Sequence, residues 1–266
     1  MEKEPHIIVE DLDMAYGSYL LQHDLAFTVN RGDIFIIMGG SGCGKSTLMR
    51  CLVGLKEPTR GRVLYGPISF WEEEPDERER MMRRFGIMYQ SGALWSSLTL
   101  AENIALSLEL YTELKPVRIR EIASLKLALV GLAGFEDYYP SEISGGMKKR
   151  AGIARAMALD PEILFFDEPS AGLDPMSARL LDDLILELRE SLGTTIVVVT
   201  HELASIFAIG NNSVFIDAVE KTMIASGDPK RLLAECGHPT VQSFLTRGET
   251  KAEGKSGEAA APCFLA

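Results

Sequence analysis

The strongest constraint on the fold is a glycine-rich stretch that follows a short apolar run. Residues 39–47 read Gly-Gly-Ser-Gly-Cys-Gly-Lys-Ser-Thr, which fits the pattern G-x-x-x-x-G-K-[ST]. The run Ile34–Met38 before it has the length of a strand, and the segment 48–53 after it can form a helix. A glycine-rich turn before an ordinary helix is the alternative. The flanking strand and helix favour a phosphate-binding loop.

The residue types of this loop indicate its chemistry. Glycines let backbone N–H groups close around phosphate oxygens, and a helix N-terminus adds partial positive charge. Lys45 can reach the β- and γ-phosphates of a nucleotide, and the Ser46 hydroxyl can bind Mg²⁺. Cys43 is either a small filler or a point of sensitivity to thiol reagents. The residues predicted to bind the nucleotide here are Gly39, Gly40, Ser41, Gly42, Cys43, Gly44, Lys45, Ser46 and Thr47.

A second motif is the apolar segment Phe165-Phe166 followed by Asp167 and Glu168. In a parallel sheet, the C-terminal ends of the strands line the ligand crevice. Asp167 can therefore hold Mg²⁺, directly or through water, and Glu168 can be the general base that activates water beside the γ-phosphate. The alternative is an ordinary acidic strand end. The phosphate loop upstream favours the catalytic interpretation.

A third motif begins at Ser144, where Ser-Gly-Gly opens an apparent helix that runs through Leu159. A glycine-rich helix start with exposed N–H groups is a second anion site, although a capped structural helix fits the pattern equally well. One nucleotide does not need both glycine-rich sites from the same chain. We therefore predict a homodimer in which each nucleotide lies between the Gly39–Thr47 loop of one copy and Ser144, Gly145 and Gly146 of the other.

The length, net charge and composition of the whole chain restrict the class of protein to which it can belong. Its 266 residues suffice for one α/β domain with a subdomain. A net charge of −11 argues against a nucleic-acid partner, because phosphate contacts need a basic face. The four cysteines match no zinc motif, which favours free thiols in a reducing compartment. We see no apolar run of roughly 18 residues and no signal peptide, so we expect no membrane span.

Apolar strands that alternate with helices predict an α/β fold. We expect a P-loop NTPase core with a mostly parallel sheet, an N-terminal antiparallel β-subdomain and an α-helical subdomain. Asp174 can cap a helix whose first residue is Pro175. The predicted bounds are an ATPase domain over 1–247, with its core at about 1–90 and 160–228 and its helical subdomain at about 91–160, and a disordered tail over 248–266.

Helical spacing also predicts which side chains face the core. Ile119, Ile122, Leu125 and Leu129 recur at the spacing of one helix face. In the helix after Asp174, the residues expected to face inward are Leu180, Leu181, Leu184, Ile185 and Leu188.

Together these motifs resemble those of the nucleotide-binding subunits of ABC transporters, over about residues 7–247. The glycine loop corresponds to the Walker A loop, Ser144–Met147 to the signature, Ile163–Glu168 to Walker B with the catalytic glutamate, and Ser170–Asp174 to the D-loop. The resemblance implies ATP and Mg²⁺ as ligands. The usual signature ends in Gln, and here Met147 stands instead, which removes a polar contact and predicts slower or differently coupled turnover.

Three further residues take their roles from this resemblance. Tyr16 matches the aromatic residue that stacks on adenine, although it could be a turn residue. Gln90 matches the glutamine that contacts Mg²⁺ and the attacking water, although it could be a strand-end amide. His201 matches the switch histidine near the γ-phosphate, although a strand-end histidine can be purely structural.

The Ser144–Met147 motif and residues 90–104 are also similar to the ATPases of MCE-type lipid transporters of the Gram-negative envelope. This resemblance implies phospholipid cargo, outer-membrane lipid asymmetry, membrane permease subunits, an MCE-domain lipid-binding protein and a peripheral position on the cytoplasmic face of the inner membrane. Leu94, Trp95 and Leu98 could line a groove for a permease helix, or could be ordinary core. Another small-molecule cargo is the alternative, and a soluble ABC-type ATPase of DNA repair or translation is a more distant one.

Overall fold

The computed structural model describes residues 4–248 and 261–265. The strands in this part of the chain are β1 (Pro5–Tyr16), β2 (Tyr19–Asn30), β3 (Ile34–Met38), β4 (Arg60–Tyr65), β5 (Ile68–Ser69), β6 (Phe85–Met88), β7 (Ile163–Asp167), β8 (Thr195–Val199), β9 (Asn212–Ile216), β10 (Met223–Ser226) and β11 (Cys263–Phe264). The α-helices are α1 (Lys45–Leu52), α2 (Pro75–Met82), α3 (Leu100–Tyr111), α4 (Pro116–Leu129), α5 (Gly145–Ala156), α6 (Pro175–Leu192), α7 (Leu203–Ile209), α8 (Pro229–Glu235) and α9 (Pro239–Leu245).

The chain divides into two compact units. The first contains Met1–Arg78 and Val197–Ala266, and the second contains Glu79–Ile196. Helix α2 and strand β8 each run across a boundary between them. These two units are not the predicted ATPase core and helical subdomain, whose bounds stay a prediction.

The first unit contains the predicted N-terminal antiparallel sheet. Its strand order is β2-β1-β4-β5, and the neighbouring strands in it run antiparallel. Strands β1 and β2 form a tight hairpin in which Tyr16 pairs with Tyr19. Gly17 takes a φ of 59° in this turn, a conformation that glycine adopts without a steric penalty. Strands β4 and β5 form a short antiparallel pair in which Tyr65 lies opposite Ile68.

A second sheet in the first unit positions the phosphate loop. Strands β11, β10, β9 and β3 lie in this order, with β3 parallel to β9 and β9 antiparallel to β10. All five residues of β3 are buried, as expected for a strand covered on both faces. The loop that follows Met38 therefore leaves the sheet at the C-terminal end of β3, where a parallel sheet binds its ligands.

The prediction of disorder over the whole tail is wrong for its last described residues. Cys263 and Phe264 form β11, which pairs in parallel with Ala225 and Ser226 of β10. The physical reason is that β10 offers an open edge whose backbone groups accept another strand. Residues 249–260 and 266 lie outside the described part of the chain.

The second unit contains the parallel strands β6 and β7 and the whole of helices α3, α4, α5 and α6. Strands β6 and β7 pair from Phe85 with Ile163 to Met88 with Phe166. Helix α3 begins with a capping box between Thr99 and Glu102. Within residues 4–248 and 261–265, no helix is both long and apolar enough to cross a bilayer.

Two predictions about helix faces need correction. In α4, Leu125 and Leu129 are exposed, and the buried stripe runs through Ile119, Ala123 and Leu127 instead. The stem of Lys126 is buried on the same side while its ammonium pairs with Asp160, so the core-facing stripe includes a charged residue that a search for apolar residues overlooks. In α6, Leu180 is 61% exposed, whereas Leu181, Leu184, Ile185 and Leu188 are buried as predicted.

Candidate functional site

The Gly39–Thr47 loop connects β3 to α1 in backbone conformations that favour glycine. Gly39 and Gly44 have φ angles of 146° and 103°. A Cβ atom at position 39 would lie 2.2 Å from the carbonyl oxygen of Ile216, so a larger residue would have to displace backbone. Residues 40–42 are exposed. The loop therefore presents glycine backbone to solvent at the start of a helix, as an anion site requires.

Lys45 supplies the positive charge of the loop. Its Nζ atom donates hydrogen bonds of 2.9 Å to the carbonyl oxygens of Gly39 and Gly40. The residue is buried, and the first turn of α1 contains no acidic residue. The ammonium group and the helix N-terminus therefore add to each other and make the loop suited to phosphate oxygens.

Gln22 holds this loop in place, although no sequence pattern singled it out. Its Nε2 atom donates hydrogen bonds of 2.7 Å to the carbonyl oxygens of Cys43 and Asp217. The side chain is fully buried in β2, and its Oε1 atom has no hydrogen-bond partner among the described residues. The strand pattern offers no signal for it, because the left-handed backbone of Asp24 puts Gln22 out of step with the buried residues Leu25 and Phe27.

The position of Cys43 favours its interpretation as a filler. The residue is 1% exposed. Burial raises the pKa of its thiol, and the nearby charge of Lys45 opposes that shift. A thiol that stays protonated and buried reacts slowly with electrophiles.

Two other predicted residues lie in the first unit. Tyr16 is half-exposed, and its hydroxyl lies 3.3 Å from Oγ1 of Thr47, at the end of the phosphate loop. The Lys56 ammonium lies 4.5 Å from the centroid of the Tyr16 ring. His201 follows β8 with an exposed side chain, and its Nε2 lies 3.9 Å from a carboxylate oxygen of Glu202. The structure thus brings Tyr16 into contact with a residue of the phosphate loop.

In the second unit, β7 ends at Asp167, and Glu168 follows with an unusual backbone. Its φ angle is 48°, in the left-handed region that residues other than glycine rarely adopt. Conformations of this kind cluster at functional sites because the surrounding structure must hold them. The carbonyl oxygen of Glu168 accepts a hydrogen bond of 3.2 Å from the Nζ atom of Lys149.

Lys149 also joins two residues that the sequence predicted separately. Its ammonium donates to the carbonyl oxygen of Gln90 as well as to that of Glu168. Lys149 is buried, and burial lowers its pKa, while the charges of Glu168 and Asp167 oppose the shift. Gln90 and Glu168 are therefore held together through one buried lysine.

Ser144 caps helix α5, as one of the two sequence interpretations expected. Its Oγ atom accepts a hydrogen bond of 3.3 Å from the backbone N–H of Met147. Ser144 and Gly145 are exposed, and Gly146 is half-exposed. The structure contains both the cap and an exposed helix start. This geometry permits anion binding, which stays a prediction.

The predicted magnesium ligands are Ser46 in the first unit and Gln90 and Asp167 in the second. In the described ranges, no cluster of three or more His, Cys, Asp or Glu side chains could hold a metal ion by itself. Magnesium commonly uses one or two protein groups together with substrate phosphates and water. A carboxylate, a hydroxyl and an amide are ligand types of this kind, and the phosphates of a bound nucleotide would supply further oxygens.

The segment after Gln90 is organised by a buried asparagine that no pattern singled out. The Nδ2 atom of Asn103 donates to the carbonyl oxygens of Trp95, Leu98 and Thr99 at 3.1, 3.1 and 2.9 Å. Its Oδ1 atom accepts from the Trp95 N–H at 2.7 Å. Trp95 is 58% exposed, and neither Leu94 nor Leu98 is buried. Trp95 therefore does not belong to an apolar core, whereas for the half-buried Leu94 and Leu98 the groove and the core both stay predictions.

A glycine loop between a buried strand and a helix, with a lysine held on its carbonyl oxygens, defines a P-loop nucleotide-binding domain. The family model described as ABC transporter matches residues 22–171. The chain therefore belongs to the ABC transporter family and carries its nucleotide-binding ATPase domain. The expected fold class and the expected family are both confirmed.

Relatives with assigned names match most of the chain. It is 36% identical over 244 residues to the intermembrane phospholipid transport system ATP-binding protein MlaF of Haemophilus influenzae, covering 92% of this chain and 91% of that protein. It is 35% identical over 237 residues to MlaF of Escherichia coli K12, covering 89% and 87%. It is 37% identical over 239 residues to the probable ribonucleotide transport ATP-binding protein mkl of Mycobacterium tuberculosis, with 90% of this chain matched, and it spans 66% of that protein's length.

Solved structures of ABC ATPase subunits also match most of the chain. The chain matches cbiO1 of Clostridium perfringens, part of the ABC transporter complex cbiONQ, with a TM-score of 0.80 and 28% identity over 88% of this chain and 92% of that one. It also matches the dimeric ATP-binding cassette MJ0796 bound to ADP and Pi, with a TM-score of 0.75 and 27% identity over 84% of this chain and 98% of that one.

Proposed function

We propose that this chain binds and hydrolyses ATP as the ATPase subunit of an ABC transporter. The observation that carries the proposal is the Gly39–Thr47 loop, with its left-handed glycines and the buried ammonium of Lys45. In this proposal the backbone of the loop and Lys45 hold the β- and γ-phosphates. The half-exposed ring of Tyr16 receives the adenine, and its contact with Thr47 places it beside the loop.

We assign ATP hydrolysis to residues at or just after the C-terminal ends of β6, β7 and β8. Asp167, Ser46 and Gln90 would hold Mg²⁺, and the bound ion would neutralise negative charge on the phosphates. Glu168 orients the attacking water and accepts its proton. His201 contacts the γ-phosphate and stabilises the charge that develops on it. Support comes from the motif order, the carboxylates at the end of β7 and the strained backbone of Glu168.

The active form is proposed to be a homodimer. The exposed start of α5 at Ser144, Gly145 and Gly146 would contact the γ-phosphate held by the loop of the other copy. The dimeric cassette of known structure to which the chain is similar supports this arrangement. Two sites would close when ATP binds and open after hydrolysis.

The cargo is proposed to be phospholipid. MlaF proteins match this chain over most of both sequences, and their names state intermembrane phospholipid transport. The partners are then membrane permease subunits and an MCE-domain lipid-binding protein, with this chain peripheral on the cytoplasmic face of the inner membrane. The exposed Trp95, fixed by Asn103, supports a contact with a permease helix in this region.

A second candidate is the same ATPase with a different cargo. The mycobacterial relatives, 37% identical to this chain, bear a name that states ribonucleotide transport. The ATPase residues are the same for either cargo, so they do not discriminate between the two.

Co-purification separates these candidates. The chain would be tagged in its native host, membranes would be extracted in mild detergent, and bound proteins and lipids would be identified by mass spectrometry. A permease with an MCE-domain protein and bound phospholipid is the expected result. A permease with a solute-binding protein and no enriched phospholipid would overturn the lipid cargo and keep the transporter ATPase. The same tag on Trp95→Ala tests the permease contact, since we expect this variant to recover less permease.

A further inference from the structure

Lys149 occupies an unusual position for a lysine. It is buried on α5, and the groups that accept hydrogen bonds from its ammonium are two backbone carbonyl oxygens, those of Gln90 and Glu168. These residues lie 59 and 19 positions away in the chain. A buried ammonium is costly unless it is hydrogen-bonded, so this placement ties three separate segments of the second unit together.

We propose that Lys149 is a positioning residue for ATP hydrolysis, which holds the backbone of Gln90 and Glu168 in the arrangement that the reaction needs. The inference rests on the proposed function, because that function assigns the water-activating role to Glu168 and the magnesium contact to Gln90. Lys149 itself would touch neither nucleotide nor water.

The backbone of Glu168 explains why such a support is needed. Its φ of 48° is unfavourable for a residue with a Cβ atom and persists only where neighbouring groups hold it. A hydrogen bond from a charged donor to the carbonyl oxygen of that residue is among the stronger supports available. The same ammonium fixes the carbonyl oxygen of Gln90, so loss of the charge would release both residues at once.

The charges around Lys149 agree with this role. Burial lowers its pKa, and the nearby carboxylates of Glu168 and Asp167 act in the opposite direction, favouring the charged form. The ammonium thus lies close to the acidic end of β7. The hydrogen bonds of the ammonium go to backbone carbonyl oxygens, so Lys149 acts through the backbone of Gln90 and Glu168.

The test compares Lys149→Met with Lys148→Met in the full-length chain. Methionine keeps the length of the side chain and removes its charge and donors. Lys148 is the next residue on the same helix, and its side chain makes no hydrogen bond or ion pair among the described residues, so it is a matched control. A third variant, Lys149→Arg, keeps the charge and the donors.

The readouts are kcat and KM for ATP, affinity for a fluorescent ATP analogue, thermal unfolding, and hydrogen exchange of the peptides that contain Gln90 and Glu168. For Lys149→Met we expect kcat to fall about tenfold to hundredfold, as for displaced catalytic groups. We expect KM and nucleotide affinity to change less than about twofold, because the phosphate loop is untouched, and exchange to accelerate in both peptides. Lys149→Arg should recover part of kcat.

Other outcomes would overturn the proposal. A kcat within about twofold of the unmodified protein, or unchanged exchange in both peptides, would show that Lys149 positions neither residue. Equal losses in the Met and Arg variants, together with lost nucleotide binding, would make Lys149 purely structural. If Lys149→Met does not fold, Lys149→Gln replaces it with the same expectations. Failure of the unmodified chain to hydrolyse ATP would instead count against the proposed function, and the exchange data would still decide the role of Lys149.

Discussion

The side-chain amide of Gln22 donates a hydrogen bond of 2.7 Å to the carbonyl oxygen of Cys43. The same nitrogen donates to the carbonyl oxygen of Asp217, 195 positions further along the chain. One buried group in β2 thus joins the phosphate loop to the turn between β9 and β10. The shape of the loop depends on this contact as well as on its glycines.

Gln22→Met should weaken both the fold and the phosphate loop. Two buried carbonyl oxygens lose their donor, so we expect the free energy of unfolding to fall by about 1–3 kcal/mol and the Kd for ATP to rise. Urea unfolding and nucleotide titration measure the two effects. Gln242→Met is the matched control, because Gln242 also donates to backbone carbonyl oxygens, such as that of Cys236. If both variants bind ATP equally well, Gln22 does not shape the site.

Lys45→Ala should abolish ATP hydrolysis and strongly reduce nucleotide binding. The substitution removes the ammonium that now lies on the carbonyl oxygens of Gly39 and Gly40, and with it the charge that would hold the phosphates. Phosphate release and binding of a fluorescent ATP analogue provide the measurements. Lys230→Ala, on the exposed start of α8, should change neither. Near-normal ATP turnover in Lys45→Ala would contradict the assignment of residues 39–47 as a phosphate loop.

Glu168→Gln should bind ATP normally and fail to hydrolyse it. Glutamine has a similar shape but cannot accept the proton of the attacking water. With ATP and Mg²⁺ we therefore expect a trapped dimer in light scattering, whereas Glu190→Gln, on the exposed face of α6, should turn over ATP like the unmodified chain. A Glu168→Gln protein that stays monomeric with ATP would contradict the closed-dimer model.

Met147→Gln should remain active. The Ser144 hydroxyl bonds to the backbone N–H of residue 147 and not to its side chain, so this cap survives the substitution. The change restores the usual residue of the signature, and we expect kcat to stay equal or to rise. Steady-state ATPase assays measure it. Complete inactivation would show that the Met147 side chain has a role of its own.

The buried thiol of Cys51 should make the protein less stable in alkali. Burial raises its pKa from 9.0 to about 12, so the folded state keeps a proton that the unfolded state loses above pH 9. The stabilisation is complete below pH 9 and is lost as the pH rises towards 12, by at most about 1.4 kcal/mol per pH unit. Urea unfolding from pH 8 to 10.5 should show a shallower decline for Cys51→Ala. Parallel curves for the two proteins would contradict this.

Local sequence was enough to identify most of the candidate site. The phosphate loop, the Ser144 cap and the Asp174 cap depend on groups within a few residues of each other. The Asp174 carboxylate, for example, accepts from the backbone N–H of Met176 and of Ser177. Because a turn or a cap is satisfied by its own neighbours, its chemistry can be recognised from a short stretch of sequence.

The supports of the site could not be recognised in this way. Gln22, Lys149 and Asn103 are polar residues in ordinary-looking strands and helices, and their roles depend on burial. The partners of the first two lie far away in the chain. The predicted core face of α4 is wrong at Leu125 for the same reason. Leu125 is exposed, and the aliphatic part of the Lys126 side chain occupies part of the buried face.

The local pattern of residues thus specified the motifs, the fold class and the residues proposed to meet the nucleotide. Folding decided which backbone atoms hold those residues, and it placed a strand at Cys263–Phe264 in a tail whose composition predicted disorder. The physical reason is that a hydrogen bond between distant segments needs two groups that only chain packing brings together. The composition of either segment alone does not specify that contact.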